Sequence, residues 1–158
     1  DPIALIKTIT AFTISHSITL ALSVLELVKL DQGPTEAVIA LSIFFLAREL
    51  VMEEGQRSRL TLGRPWVMAF VFGLLHGLGF AGALADIGLP KDDLWLSLLL
   101  FNVGIEVGQV TVIIALAGIA WILTKIGWRN RFYTVAAWSM GSLATFWTLD
   151  RTALLVGL

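Results

Sequence analysis

Apolar residues run along this chain in stretches of roughly 20, long enough to cross a ~30 Å hydrocarbon layer as helices. Short clusters of charge and turn residues separate them. Five spans are expected, at about 3–30, 35–52, 65–85, 94–126 and 131–149. Asp31, Gln32, Gly33 and Pro34 form the first turn, with Pro34 opening the second helix, since its fixed φ and missing N–H suit that position. Glu53 to Arg64 make the one long polar loop, and Pro65 opens a third span dense in glycine (Gly73, Gly77, Gly79, Gly82). The connection from Asp86 to Asp93 ends in two acids that suit a helix N-terminus. The fourth span, at about 33 residues or ~50 Å, must tilt or protrude. The tail from Asp150 to Leu158 reads as an interfacial piece. The pattern predicts one all-α domain over residues 1–158, a polytopic membrane helical bundle.

Composition agrees. The 158 residues are 57% hydrophobic and 15% charged, where a soluble domain carries about a quarter charged residues. Mean hydropathy is +0.85. A formal net charge of −1 gives no grip on nucleic acid, and zero cysteines exclude disulfides and thiolate metal sites. The first apolar stretch is too long for a signal peptide and has no basic leader.

Charge orients the bundle. Lys7, Arg48, Arg57, Arg59, Arg64, Lys125, Arg129 and Arg131 fall on one side. Lys29, Lys91 and Arg151 fall on the other, among Glu26, Asp31, Glu36, Asp86, Asp92, Asp93 and Asp150. Eight basic residues against three place the N-terminus in the cytoplasm and the C-terminus outside. Trp66, Trp121 and Trp128 then sit at the inner boundary, Trp95 and Trp147 at the outer one.

Within this apolar frame, Asn102, Glu106 and Gln109 share one face of the fourth span, while Gly104 and Gly108 form a small-xxx-small surface on the other. A carboxyl at mid-bilayer costs roughly 2.5–3.5 kcal/mol and needs a partner. Both histidines of the chain, His16 and His76, lie inside spans. Counted along their helices, His16, His76 and Glu106 reach depths of roughly 16–18 Å, close to the midplane. Two imidazoles and a carboxylate at one level suit Zn²⁺, Ni²⁺, Fe²⁺ or Co²⁺. Asn102 and Gln109 are the auxiliary oxygen donors, and Thr13 and Thr19 flank His16 with hydroxyls that could orient it. Gly73, Gly77 and Gly79 around His76 allow a neighbouring backbone to approach. The bland reading of the same residues is a neutral Glu–His pair acting as packing glue. Glu36 stands at the outer end of the second span as an entrance carboxylate or a simple helix-terminal charge. Arg48 and Glu49 read as a boundary pair. Phe12-x3-His16 and Phe72-x3-His76, 60 residues apart, are a faint echo of two parallel hairpins.

Three segments carry a resemblance. Ala11-Phe12-Thr13-x2-His16-Ser17-x-Thr19-Leu20, His76-Gly77-Leu78-Gly79-Phe80-Ala81 and Phe101-Asn102-x-Gly104-x-Glu106-x-Gly108-Gln109 resemble the HupE/UreJ-like membrane proteins. Glu36-x2-Ile39-Ala40-Leu41-Ser42-Ile43 is similar to that family's second-span pattern. The resemblance covers about residues 8 to 110. It implies metal handling in a bacterial inner membrane, as a nickel permease or an accessory to hydrogenase and urease maturation. His16, His76 and Glu106 would then carry the metal. Nickel-permease members are expected to hold an upstream HPxxGxDH-type helix that this sequence lacks. Either such a helix precedes the chain or this branch does without it.

Three functions follow as expectations. The first is a divalent-metal permease using the His16/His76/Glu106 site. The second is an intramembrane metal-dependent hydrolase using the same site, disfavoured because no HExxH-type spacing supplies a general base. The third is a structural subunit or assembly factor of a membrane complex. The expected partners are the lipid bilayer, a metal ion, and an upstream segment or a second copy of the chain.

Overall fold

The computed structural model describes residues 2–87, 93–155 and 157. The described residues contain helices and no strand: α1 (Pro2–Val24), α2 (Gln32–Val51), a 3-10 turn (Glu54–Gln56), α3 (Arg59–Gly63), α4 (Pro65–Ile87), α5 (Leu94–Lys125) and α6 (Arg129–Leu155). Lys91 and Asp92, in the connection between α4 and α5, lie outside the described residues. Asp93 holds the N-cap position of α5 and makes no side-chain cap hydrogen bond.

Most boundaries match the apolar pattern; two differ for identifiable reasons. α1 ends at Val24 instead of running to about residue 30. Leu27 N–H donates to Leu22 O at 2.9 Å and Glu26 N–H to Ser23 O at 3.0 Å, the paired bonds of a Schellman termination. Glu26 takes the left-handed position of that motif at φ 58° without being glycine, so no residue type announced the stop. The far end of α5 closes with the same motif around Gly127 at φ 72°, through Trp128 N–H to Leu123 O and Gly127 N–H to Thr124 O. At the other extreme, α6 continues to Leu155, so the expected interfacial tail is continuous helix as far as that residue. Thr148 and Thr152 return their hydroxyls to Ala144 O and Thr148 O, and Arg151 pairs with Glu36 of α2 at 3.0 Å. The charges at 150 and 151 are accommodated on the helix instead of ending it.

Packing follows the glycines. α1 lies parallel to α4, in register from Lys7 with Trp66, through Phe12 and Ser15 at Gly73 and His16 and Thr19 at Gly77, to Leu20 with Leu84. A Cβ at Gly73 or Gly77 would run into the backbone of α1, so these two positions set the closest helix approach in the bundle. Gly79 and Gly82 face Ile39 and Gln32 of α2, which runs antiparallel to α4. α6 packs antiparallel along α2, Gly141 against Ala47 and Leu155 against Gly33. α5 runs antiparallel to α1 and touches it through Leu98 and Asn102. The directions therefore alternate as five successive crossings would.

Two of the helices, α1 and α5, are long and apolar enough to cross a membrane. The surface supports the same environment. A soluble globular chain of 17.2 kDa would expose about 7,800 Å², whereas this one exposes 10693 Å². Large apolar side chains such as Leu99, Val107, Ile114, Trp138, Leu143 and Phe146 stand outward on α5 and α6. Four cation–π pairs, Lys7–Trp66, Lys125–Trp121, Arg129–Tyr133 and Arg131–Trp128, cluster at the end where α1, α4 and α6 begin and α5 stops. Amphipathic rings beside basic side chains are what a headgroup layer selects.

Candidate metal site between the first and fourth helices

The α1–α4 seam brings both histidines together. The Phe12 ring stacks on His16 at 5.9 Å between centroids and meets His76 edge-on at 5.6 Å. Phe80 closes the other side of His16 at 5.6 Å. Phe72, which the Phe-x3-His echo would pair with His16, instead meets Phe45 of α2 at 6.3 Å. The rings around the two histidines are thus not related by a repeat.

Each imidazole keeps a nitrogen for a ligand. His76 Nδ1–H donates to Phe72 O at 2.8 Å. A carbonyl can only accept, so the Nδ1 proton is fixed and Nε2 carries the lone pair, the tautomer of a metal-ligating histidine backed by a carbonyl. His16 is 2% exposed, and its Nδ1 is buried with no hydrogen-bond partner. A bare buried nitrogen costs roughly 1–3 kcal/mol unless something binds it. Imidazole nitrogens are donors of the kind a borderline divalent cation takes.

Asn102 of α5 lies beside the His16 ring. Its Nδ2 donates to Leu98 O at 2.9 Å, and its Oδ1 accepts from Ser17 Oγ at 2.7 Å. Ser17 Oγ is also 2.7 Å from Thr13 O, so one hydroxyl hydrogen is shared between two acceptors. Thr13 Oγ1 is buried without a partner. Thr19 behaves differently from the expectation, since its hydroxyl returns to Ser15 O and His16 O of its own helix.

Glu106 is not drawn into this cluster. On α5 the inward stripe is Leu98, Asn102, Ile105, Gln109 and Ile113; Glu106 falls on its flank and is exposed. Among the described residues, no group of three or more His, Asp or Glu side chains converges closely enough to hold a metal ion. Gly104 and Gly108 have open space where a Cβ would stand, so the small face of α5 has no partner helix among the described residues. Gln109 does point inward, and its Oε1 is buried and unpartnered.

The outlying candidates are tied down. Glu36 holds Arg151 and accepts from Gln32 Nε2 at 3.0 Å. Glu49 is 2% exposed and takes Arg48 at 3.2 Å on one oxygen and Ser58 N–H at 2.8 Å on the other, stapling the loop to the foot of α2. A residue outside the sequence-based set joins the inner features. Thr61 of α3 has a buried, unpartnered Oγ1 and lines, with other atoms, a largely apolar cavity whose wall also includes His76 and Gln109. A lone threonine in a polar loop carries no pattern that would have singled it out.

No curated protein and no solved structure matches the chain. The family model described as HupE / UreJ protein matches residues 3–151, nearly the whole length and all of the helices that build the histidine seam. The chain belongs to the HupE/UreJ family.

Proposed function

We propose that this is a multi-pass protein of a bacterial inner membrane that handles a divalent transition metal, with a nickel-type permease as the leading form. The observation that carries the reading is the histidine seam. Two imidazoles, the only ones in the chain, share one aromatic ring at the closest helix contact, each with a nitrogen left for a ligand. The cation is the cargo. His16 and His76 are its nitrogen donors, and Asn102 is the adjacent amide. Glu106 supplies the charge when α5 turns about its axis, a motion favoured by the sparse packing of its second half. The N-terminus lies in the cytoplasm, on the basic side.

Metal analysis of purified protein tests this. Wild type should retain about one Ni²⁺ or Co²⁺, and His76→Ala and Glu106→Gln should each lose at least tenfold in affinity, the scale of losing a ligand or its support. Unchanged metal content in both variants removes the reading. Occupancy should also fall as acidification protonates the imidazoles, since only the neutral ring offers a lone pair.

The exposure of Glu106, with the open Gly104/Gly108 surface on the other side of α5, favours a second reading, a subunit or assembly factor that docks α5 against another helix. Under it, Glu106→Gln changes the size of the assembly and leaves metal content alone.

A further inference from the structure

We infer that the groove between the second half of α2 and the middle of α6 seats an acyl chain of an anionic phospholipid, with Arg48 and Arg57 at its phosphate. This rests on the membrane setting of the bundle and is independent of the metal reading. The groove is half-open, has a volume of about 320 Å³ and is almost wholly apolar. Small residues make its floor. Ala47 and Ala137 are buried, and a Cβ at Gly141 would stand 3.4 Å from that of Ala47. Larger side chains rise on either side, Phe44 and Val51 from α2 and Trp138 from α6, all exposed. Along α2 the groove runs from Phe44 to Met52, about 12 Å at the helical rise of 1.5 Å per residue. That is too short to bed a second membrane-crossing helix. A flexible hydrocarbon chain fits it.

Charge decides the class of lipid. Arg48 lines the groove, and its side chain is 47% exposed. An arginine on a lipid-facing surface must reach the headgroup layer or pair with an anion. Arg48 Nη1 donates to Glu49 Oε1 at 3.2 Å, and the other oxygen of Glu49 takes Ser58 N–H at 2.8 Å. A guanidinium carries five N–H donors, so Arg48 keeps several for a further acceptor. At the basic end of the groove, Arg57 Nε donates to Met52 O at 2.9 Å, which fixes a second guanidinium beside a lining residue. Among the described residues Arg57 has no ion pair. The acids of this end, Glu49, Glu53 and Glu54, are outnumbered by its eight basic residues. Guanidiniums take phosphate oxygens in pairs, and a basic membrane boundary attracts anionic headgroups. Other apolar furrows on the bundle lack this feature. One beside Leu30 and Pro34 includes Asp31, and one between Met140 and Trp147 has no charged residue.

Native mass spectrometry of the full chain, delipidated in detergent and titrated with phosphatidylglycerol or phosphatidylcholine, tests this. Wild type should hold one phosphatidylglycerol at least ~10-fold more tightly than phosphatidylcholine, the scale of two basic side chains beside an anionic headgroup. Arg48→Gln and Arg57→Gln should each weaken phosphatidylglycerol roughly fivefold and leave phosphatidylcholine unchanged. Since Arg48 also pairs with the buried Glu49, Arg57→Gln carries the result should Arg48→Gln fail to fold. Ser142→Trp fills the groove from an exposed position and should abolish the tight lipid. Val135→Trp, exposed and outside the groove, should keep it. Equal affinity of wild type for the two lipids overturns the proposal, as does tight phosphatidylglycerol that survives Ser142→Trp. A lipid-independent dimer that Ser142→Trp dissociates also overturns it and assigns the groove to a second copy. A chain that alkaline carbonate strips from membranes overturns the membrane setting instead, and the lipid site with it.

Discussion

Glycines that look alike in the sequence are in opposite situations in the fold. Gly73 and Gly77 press against the backbone of α1, and a methyl group there must push the helices apart. Gly104 and Gly108 face open space. Gly77→Ala should therefore destabilise by about 1–3 kcal/mol, the usual cost of overpacking. Gly104→Ala should leave stability unchanged or raise it by up to ~1 kcal/mol through helix propensity. Unfolding of the two variants in detergent, followed by circular dichroism, checks both. The same contrast explains how much of the site counting can recover. Depth along a helix follows from residue number, and that alone sets His16 and His76 at one level. Azimuth depends on which neighbour a helix packs against. Nothing in the spacing of Asn102, Glu106 and Gln109 says that α5 turns the first and last inward and leaves the acid on the flank.

The two Schellman ends are a matched pair at the level of elements. α5 stops at Gly127 and α1 at Glu26, with the same hydrogen bonds and the same handedness at the closing residue. An L side chain in that conformation costs roughly 1–2 kcal/mol, which glycine does not incur. Glu26→Gly should raise the stability of the protein by about 1 kcal/mol, and Gly127→Ala should lower it by a similar amount. Thermal unfolding midpoints of the two variants decide. The Lys29–Glu26 ion pair does not alter the balance, since both side chains are more than two-thirds exposed at 71% and 74%. The start of α4 is legible because Pro65 marks it locally, and the end of α5 because a glycine does. An ordinary glutamate hides the end of α1. α6 runs on because its threonines and Arg151 find partners that the sequence does not show as neighbours.

For the whole molecule, alternating helix directions place the loop at Gly55 and the turn at Asp31 at opposite ends. Gly55→Cys and Asp31→Cys should be labelled by an impermeant reagent from opposite faces of sealed vesicles, Gly55→Cys from the cytoplasmic one. Labelling of both from the same face would reject the five-crossing arrangement. The bundle is unevenly knit. α1 with α4 and α2 with α6 form two close pairs joined through α4 and α2, while α5 is held mainly by its first two turns and Asn102. The helix that carries Glu106 is thus the least closely packed of the long helices among the described residues. Hydropathy recovers the number of long helices but not where α1 and α6 end; their pairing depends on glycines whose partners lie on other elements.

The parallel seam also has a bearing on how the protein is made. Its two halves are separated by α2 and the loop, so α1 enters the lipid well before α4 has been synthesised. In that interval the hydroxyls of Thr8, Ser15 and Thr19 are already satisfied by their own helix, and the nascent segment carries little unpaired polarity. His16 Nδ1 and Thr13 Oγ1 find no partner on their own helix, and α4 later buries them without supplying one. The close α1–α4 pairing makes the packing of α1 dependent on a helix translated some sixty residues afterwards.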